Sequence, residues 1–165
     1  MRRFAVCRIM VCATFPAHAI TTAIHPPCTE RRPARWISAL QKRFANHPGV
    51  HLWHLSNEYG GECYCPLCQQ AFRDWLKKKY KTLDDLNHAW WTDFWSHTYT
   101  SWDQIHAPQP NGEMNVHGLT LDWKRFVTYQ TVDFMKMERD TVKEVNPDIP
   151  VTAKPDGLLR RPRLL

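Results

Sequence analysis

Two short strings in this 165-residue sequence combine residue types and spacing that support chemistry. The first is Ser56-Asn57-Glu58, which directly follows the apolar run Val50-His51-Leu52-Trp53-His54-Leu55. A run of that kind reads as a parallel-sheet strand buried on both faces, and the carboxyl end of such a strand is where α/β barrels place catalytic groups. Trp53 and Tyr59 would draw water away from the Glu58 carboxyl and raise its pKa, as a general acid at neutral pH requires. Asn57 supplies both a donor and an acceptor for a hydroxyl-rich ligand. The plain alternative is that Asn-Glu only ends the strand.

The second string is Cys63-Tyr64-Cys65-Pro66-Leu67-Cys68. Three thiols in a C-x-C-x-x-C spacing that opens a helix suit a tetrahedral zinc site needing one further ligand. Cys28 is the first choice for that ligand, ahead of His54 and His51. Disulfides and plain thiols are the competing readings. The nine His residues show no ligand spacing, and no H-E-x-x-H string occurs, so a bound metal would be structural rather than catalytic. Gly-rich phosphate loops, nucleophile elbows and kinase signatures are missing as well.

The elements that must hold these strings follow from apolar spacing. Trp36, Leu40 and Phe44 recur at four-residue steps and predict a helix closed by His47-Pro48-Gly49. Cys68, Phe72, Trp75, Leu76 and Tyr80 predict a second helix, and Leu83, Leu86 and Trp90 a short third. Residues 91–118 have no period and read as a long ordered loop. Its aromatics, with Trp90, form the group Trp90, Trp91, Phe94, Trp95, Tyr99 and Trp102, suited either to stacking on sugar rings or to packing the loop down. Trp123, Val127, Gln130, Phe134, Met137, Thr141 and Val145 predict a long helix, ended by Asn146-Pro147-Asp148, before a strand at Ile149–Thr152. Helices alternating with strands predict an α/β fold with parallel pairing.

Composition narrows the function classes. A sequence 43% hydrophobic with eight Trp is able to bury a core, and no stretch approaches the ~18 consecutive apolar residues of a membrane span. The net charge of +6 is confined to the ends: residues 1–35 carry +5, residues 36–157 carry −2 and residues 158–165 carry +3. A near-neutral middle argues against nucleic acid as the partner. Met1–Ala19 has the outline of a secretory signal, with Ala17-His18-Ala19 as its cleavage site, but Arg8 interrupts the apolar stretch. Residues 1–35 are read as a leader without defined structure, and the location as cytoplasmic.

The string Trp53-His54-Leu55-Ser56-Asn57-Glu58-Tyr59-Gly60-Gly61, followed by Cys63 to Arg73, resembles the β-galactosidases of glycoside hydrolase family 42. So do Thr82-Leu83-Asp84-Asp85-Leu86-Asn87 with Trp90, Phe94-Trp95-Ser96, Leu119-Thr120-Leu121-Asp122 with Arg125-Phe126, and Pro147-Asp148-Ile149-Pro150-Val151-Thr152. The likeness covers about residues 36–153.

The resemblance implies a partial TIM (β/α)8 barrel running from about the third helix to the fifth strand, flanked by a leader (1–35) and a basic tail (154–165). It implies that Glu58 is the acid/base, that Asn57 contacts the galactose 2-hydroxyl, and that Cys63, Cys65 and Cys68 join an upstream Cys, for which Cys28 stands, on a structural zinc. The implied substrate is a terminal β-D-galactoside, hydrolysed with retention, and the implied assembly is a trimer. The family's substrate-binding Arg has no counterpart that can be assigned around His25-Pro26-Pro27-Cys28-Thr29. Its nucleophile lies on a seventh strand, so residues 1–165 alone are expected to be inactive. The abrupt change at both ends is expected of shifted reading frames or a truncated gene. The rival reading is a small zinc-binding interaction module whose basic tails bind nucleic acid, with salt-sensitive affinity.

Overall fold

The computed structural model describes residues 9–12, 38–40, 42–59, 62–108 and 116–155, with backbone alone at 9–12, 56–59, 95 and 155. In chain order the elements are β1 (Ile9–Cys12), β2 (Val50–Tyr59), α1 (Pro66–Tyr80), α2 (Leu83–Trp90), two 3-10 turns (Phe94–Ser96 and Trp102–Gln104), α3 (His117–Val145) and β3 (Val151–Pro155). Helical backbone also occurs at residues 38–40 and 42–44, within the stretch predicted from Trp36, Leu40 and Phe44. The chain divides into two compact units, 1–61 with 131–165, and 62–130.

The first unit contains a three-stranded sheet in the order β1-β2-β3, parallel throughout, which is the α/β arrangement expected. Ile9 pairs with Val50 and Cys12 with His54 on one side of β2, and Trp53 pairs with Val151 on the other. β1 falls within residues 1–35, which corrects the expectation of a leader without defined structure there; four residues are too few to display a strand period. β3 begins two residues later than the predicted strand. Ile149 is held outside it, its carbonyl accepting the Lys143 ammonium at 2.8 Å.

The core of this unit is Val50, Trp53, Leu55, Phe134 and Val142, with Phe44, Met135, Ile149, Val151 and Ala153 packed around it. Asn146 ends α3 as predicted and also ties the unit together. Its side-chain oxygen accepts the Trp53 indole N–H at 3.2 Å, and its amide donates to the Ala45 carbonyl at 3.1 Å. The core indole thereby keeps a hydrogen bond where no water reaches it.

The second unit packs α1, α2 and the residues of α3 up to Gln130 around Phe72, Leu76, Leu86, Trp90, Leu119, Trp123 and Phe126. Pro66 occupies the first turn of α1, where its missing N–H costs nothing. Thr82 caps α2 by accepting the Asp85 N–H at 3.1 Å, and Trp91 closes it in a left-handed conformation with φ 53°. α3 starts six residues before the first apolar position used to predict it, since Leu119 is buried as well.

The long loop is ordered by two amides. Asn87 donates to the Tyr99 carbonyl at 2.8 Å and accepts the Tyr99 N–H at 3.0 Å, while Gln69 accepts the Ala107 N–H at 2.8 Å. Backbone groups without a ladder partner are thereby satisfied.

Candidate functional site

Asn57 and Glu58 lie among the last three residues of β2, the strand with a neighbour on each side. The strand runs to Tyr59, so both residues belong to its carboxyl end rather than to the loop beyond it. Asn57 pairs with Lys154 and Tyr59 with Pro155, and the register shifts on either side of Asn57. Irregular pairing of this kind re-aims backbone at the rims of sheets and beside active sites. Upstream, Trp53 and Leu55 are buried, whereas His51 is exposed and His54 half-buried. The side chains of Asn57, Glu58 and Tyr59 lie outside the described residues.

The three cysteines do converge. The sulfur atoms of Cys63, Cys65 and Cys68 all lie within 4.8 Å of one another, and all three residues are thiols. Cys68 is buried in the first turn of α1, Cys65 caps that helix, and Cys63 stands just before it. The Cys65 carbonyl accepts the Gln69 N–H at 3.0 Å, fixing the turn that brings sulfur to sulfur. Bonds of ~2.3 Å to a tetrahedral zinc place thiolate sulfurs ~3.8 Å apart. The cluster therefore suits such an ion after a small contraction, and its soft donor set favours zinc over hard cations. Among the described residues no His, Asp or Glu joins the group. Cys28 lies outside the described residues.

Beside the cluster is an arrangement that sequence reasoning missed. The Glu62 carboxylate accepts both the Tyr64 hydroxyl and, at 2.8 Å, the indole N–H of Trp123. The Tyr64 ring also stacks on Trp123, with centroids 5.3 Å apart and planes 21° from parallel. Burial, followed by the bond to Glu62, pushes the Tyr64 phenol up to about 12. The one sequence signal was an acid directly before a C-x-C string with Tyr at its centre.

A second missed feature is Asp122, 1% exposed on α3. Its carboxylate accepts the Lys79 ammonium at 2.5 Å, the Tyr80 hydroxyl at 2.6 Å, the Trp90 indole at 3.1 Å and the Arg125 guanidinium at 3.2 Å. Burial alone would raise its pKa, but the bonds from Lys79, Tyr80 and Trp90 outweigh that and hold the carboxyl below the ordinary Asp range. This network joins three helices and has the character of a structural tie.

The aromatic group divides by burial. Trp90 and Tyr99 are core residues, their rings 5.9 Å apart edge to face. Trp91 and Phe94 are exposed, and with Thr92, His97, Val116 and His117 they line a shallow cavity of about 170 Å³. The ring of Trp95 lies outside the described residues.

Comparison with known proteins gives one family. The family model described as beta-galactosidase matches residues 20–157. The β-galactosidase BglY of Alicyclobacillus acidocaldarius is 70% identical over 113 residues, covering 68% of this chain and 16% of that protein. GanA of Bacillus subtilis is 52% identical over 137 residues, covering 82% of this chain and 20% of GanA. A β-galactosidase crystal structure from Bacillus circulans sp. alkalophilus superposes with a TM-score of 0.70 at 46% identity, over 73% of this chain and 19% of the other. The chain thus spans between a sixth and a fifth of the length of these relatives. Nothing in them supports the interaction-module reading. Among the described residues, no helix is long and apolar enough to cross a membrane.

Proposed function

Since this chain belongs to the β-galactosidases of glycoside hydrolase family 42, we propose that it carries the acid/base segment of a retaining β-galactosidase. The observation that carries the proposal is the position of Asn57-Glu58 at the carboxyl end of the central strand of a parallel sheet, within the segment that matches the family. On this reading the sheet is an arc of a (β/α)8 barrel in which β2 is the fourth strand and β3 the fifth. The barrel portion then takes in β1 at Ile9–Cys12 as well as the stretch from residue 36 to the end of β3 at Pro155.

The chemistry follows from two carboxyl groups ~5 to 5.5 Å apart. The Glu58 carboxyl gives its proton to the glycosidic oxygen while a second carboxylate attacks the anomeric carbon, and the aglycone leaves as an alcohol. Glu58, now a carboxylate, then takes a proton from the water that attacks the same carbon, and galactose departs with its original configuration. Asn57 binds the galactose 2-hydroxyl, where hydrogen bonds strengthen in the transition state. The substrate is a terminal β-D-galactoside.

Cys63, Cys65 and Cys68 hold a structural zinc, with Cys28 as the candidate fourth thiolate. When bound, the ion supplies a cross-link between the strand-to-helix loop and the first turn of α1, and no Lewis-acid step. The support is the convergence of three sulfurs and the softness of the donor set.

The test is a chimera in which residues 20–157 replace the matching segment of GanA. Hydrolysis of an aryl β-galactoside should fall on the order of 10²- to 10⁴-fold on Glu58→Gln, as loss of a general acid/base predicts. Full turnover in that variant would refute the assignment.

A further inference from the structure

The stretch at residues 62–65, which carries Cys63 and Cys65, has no regular secondary structure, yet its backbone must present two sulfurs to the one on α1. Something other than a helix or a strand has to fix it. Glu62, immediately before Cys63, and Tyr64, between the two cysteines, are bonded to each other and both rest on Trp123. Trp123 is itself an immobile base. It is 1% exposed on α3, with Phe72 of α1 against it edge to face at 5.1 Å and Phe126 at 5.5 Å.

From this geometry we infer that Glu62, Tyr64 and Trp123 form a clamp that sets the Cys63-Tyr64-Cys65 turn in a metal-ready shape before any ion arrives. Glu62 and Tyr64 are positioning residues that act through the cysteines and do not ligate. The inference rests on the zinc reading above.

The physical reason is conformational entropy. An unclamped loop must be ordered at the expense of metal-binding free energy, whereas the clamp meets that cost during folding. The side-chain directions agree with this division of labour. Cys63 and Cys65 flank Tyr64, so holding the tyrosine ring flat on Trp123 fixes the backbone on both sides of it. The Glu62 carboxylate, accepting from Tyr64 and Trp123 together, locks that ring against sliding. Groups that orient metal ligands without touching the metal are typically worth 10- to 100-fold in affinity.

The experiment is a Co²⁺ titration of the reduced, metal-free 165-residue chain, followed by thiolate-to-cobalt charge-transfer absorbance, with Zn²⁺ displacement to obtain the zinc affinity. Tyr64→Phe keeps the ring stack but removes the hydroxyl, and Glu62→Ala removes the acceptor. Both should weaken binding about 10- to 100-fold while leaving the tetrahedral visible bands unchanged, because the sulfurs remain the ligands. Glu62→Gln, which retains an acceptor oxygen, should recover most of the affinity. Leu86→Val, which loosens the same core away from the clamp, should leave affinity unaltered.

Wild-type affinity in both Tyr64→Phe and Glu62→Ala would overturn the clamp while leaving the zinc reading intact. Equal weakening by Leu86→Val would overturn it too, by showing that general loosening accounts for the loss. No thiolate band in the unsubstituted chain, with Cys68→Ser indistinguishable from it, would overturn the zinc reading and the clamp with it.

Discussion

Asp122 on α3 accepts the indole N–H of Trp90 on α2 at 3.1 Å, joining two helices through one buried carboxylate. Lys79 and Tyr80 at the end of α1 complete the tie. A buried charge is tolerated only when its acceptor sites are filled, and here four donors fill them.

Asp122→Ala should therefore cost about 1 to 3 kcal/mol, since it removes the acceptor of the half-buried Tyr80 hydroxyl and leaves the Trp90 indole only its bond to that hydroxyl at 3.2 Å. The Lys79 ammonium reaches water and limits the damage. Urea denaturation of the two proteins, compared at their midpoints, measures the difference. An equal midpoint would show that the network contributes nothing.

The same network sets a dependence on pH. The Asp122 carboxyl is held below its ordinary value, so its contribution is complete above about pH 4 and is lost as pH falls through the depressed value. The Tyr80 phenol is raised, chiefly by burial and then by its bond to Asp122. Its contribution is complete below about pH 10 and is lost as pH rises through the raised value. Thermal melts across the acid range should show a steeper decline in the unsubstituted chain than in Asp122→Asn.

Gly118 is required where α3 meets α2. A Cβ built there would stand 2.5 Å from both Cδ1 and Cγ of Trp90. Gly118→Ala should lower stability even though alanine favours a helix by about 1 kcal/mol, because overpacking against an indole costs about 1 to 3 kcal/mol. Trp90 cannot shift freely while Asp122 holds its N–H. A melting temperature equal to or above that of the parent would contradict this account.

In the sheet-bearing unit, Asn146→Ala should cost about 1 to 3 kcal/mol through the stranded Trp53 indole. Asn146→Asp, which keeps an acceptor for that indole but no donor for the Ala45 carbonyl, should cost less. The pair of variants, compared by chemical denaturation, separates the two hydrogen bonds.

Much of this was legible in the sequence where the cause is local. The spacing of Phe72, Leu76 and Tyr80, and of Trp123, Val127 and Phe134, reports which helix face is buried because a helix repeats every 3.6 residues. The convergence of Cys63, Cys65 and Cys68 was legible because one helical turn and one loop bring them together. Asp122 was not, since its partners Lys79, Tyr80 and Trp90 come from other helices and no local pattern links them. β1 was hidden by its shortness. Glu62 was passed over because its partner Trp123 lies 61 residues away. Parallel pairing itself followed from the alternation of elements, but the extension of β2 through Asn57 and Glu58 did not, as polar residues end an apolar run without ending the strand.

The central claim is that Glu58 exchanges protons with the glycosidic oxygen and with water. Its most direct measurement is the product formed when Glu58→Gly, in the GanA chimera, meets an aryl β-galactoside with a good leaving group in the presence of azide. Such a substrate needs no acid to leave, and azide needs no base to attack, so the account predicts restored turnover and a β-configured galactosyl azide. An α-configured azide would make Glu58 the nucleophile instead, and unrestored turnover would remove it from the proton transfers altogether.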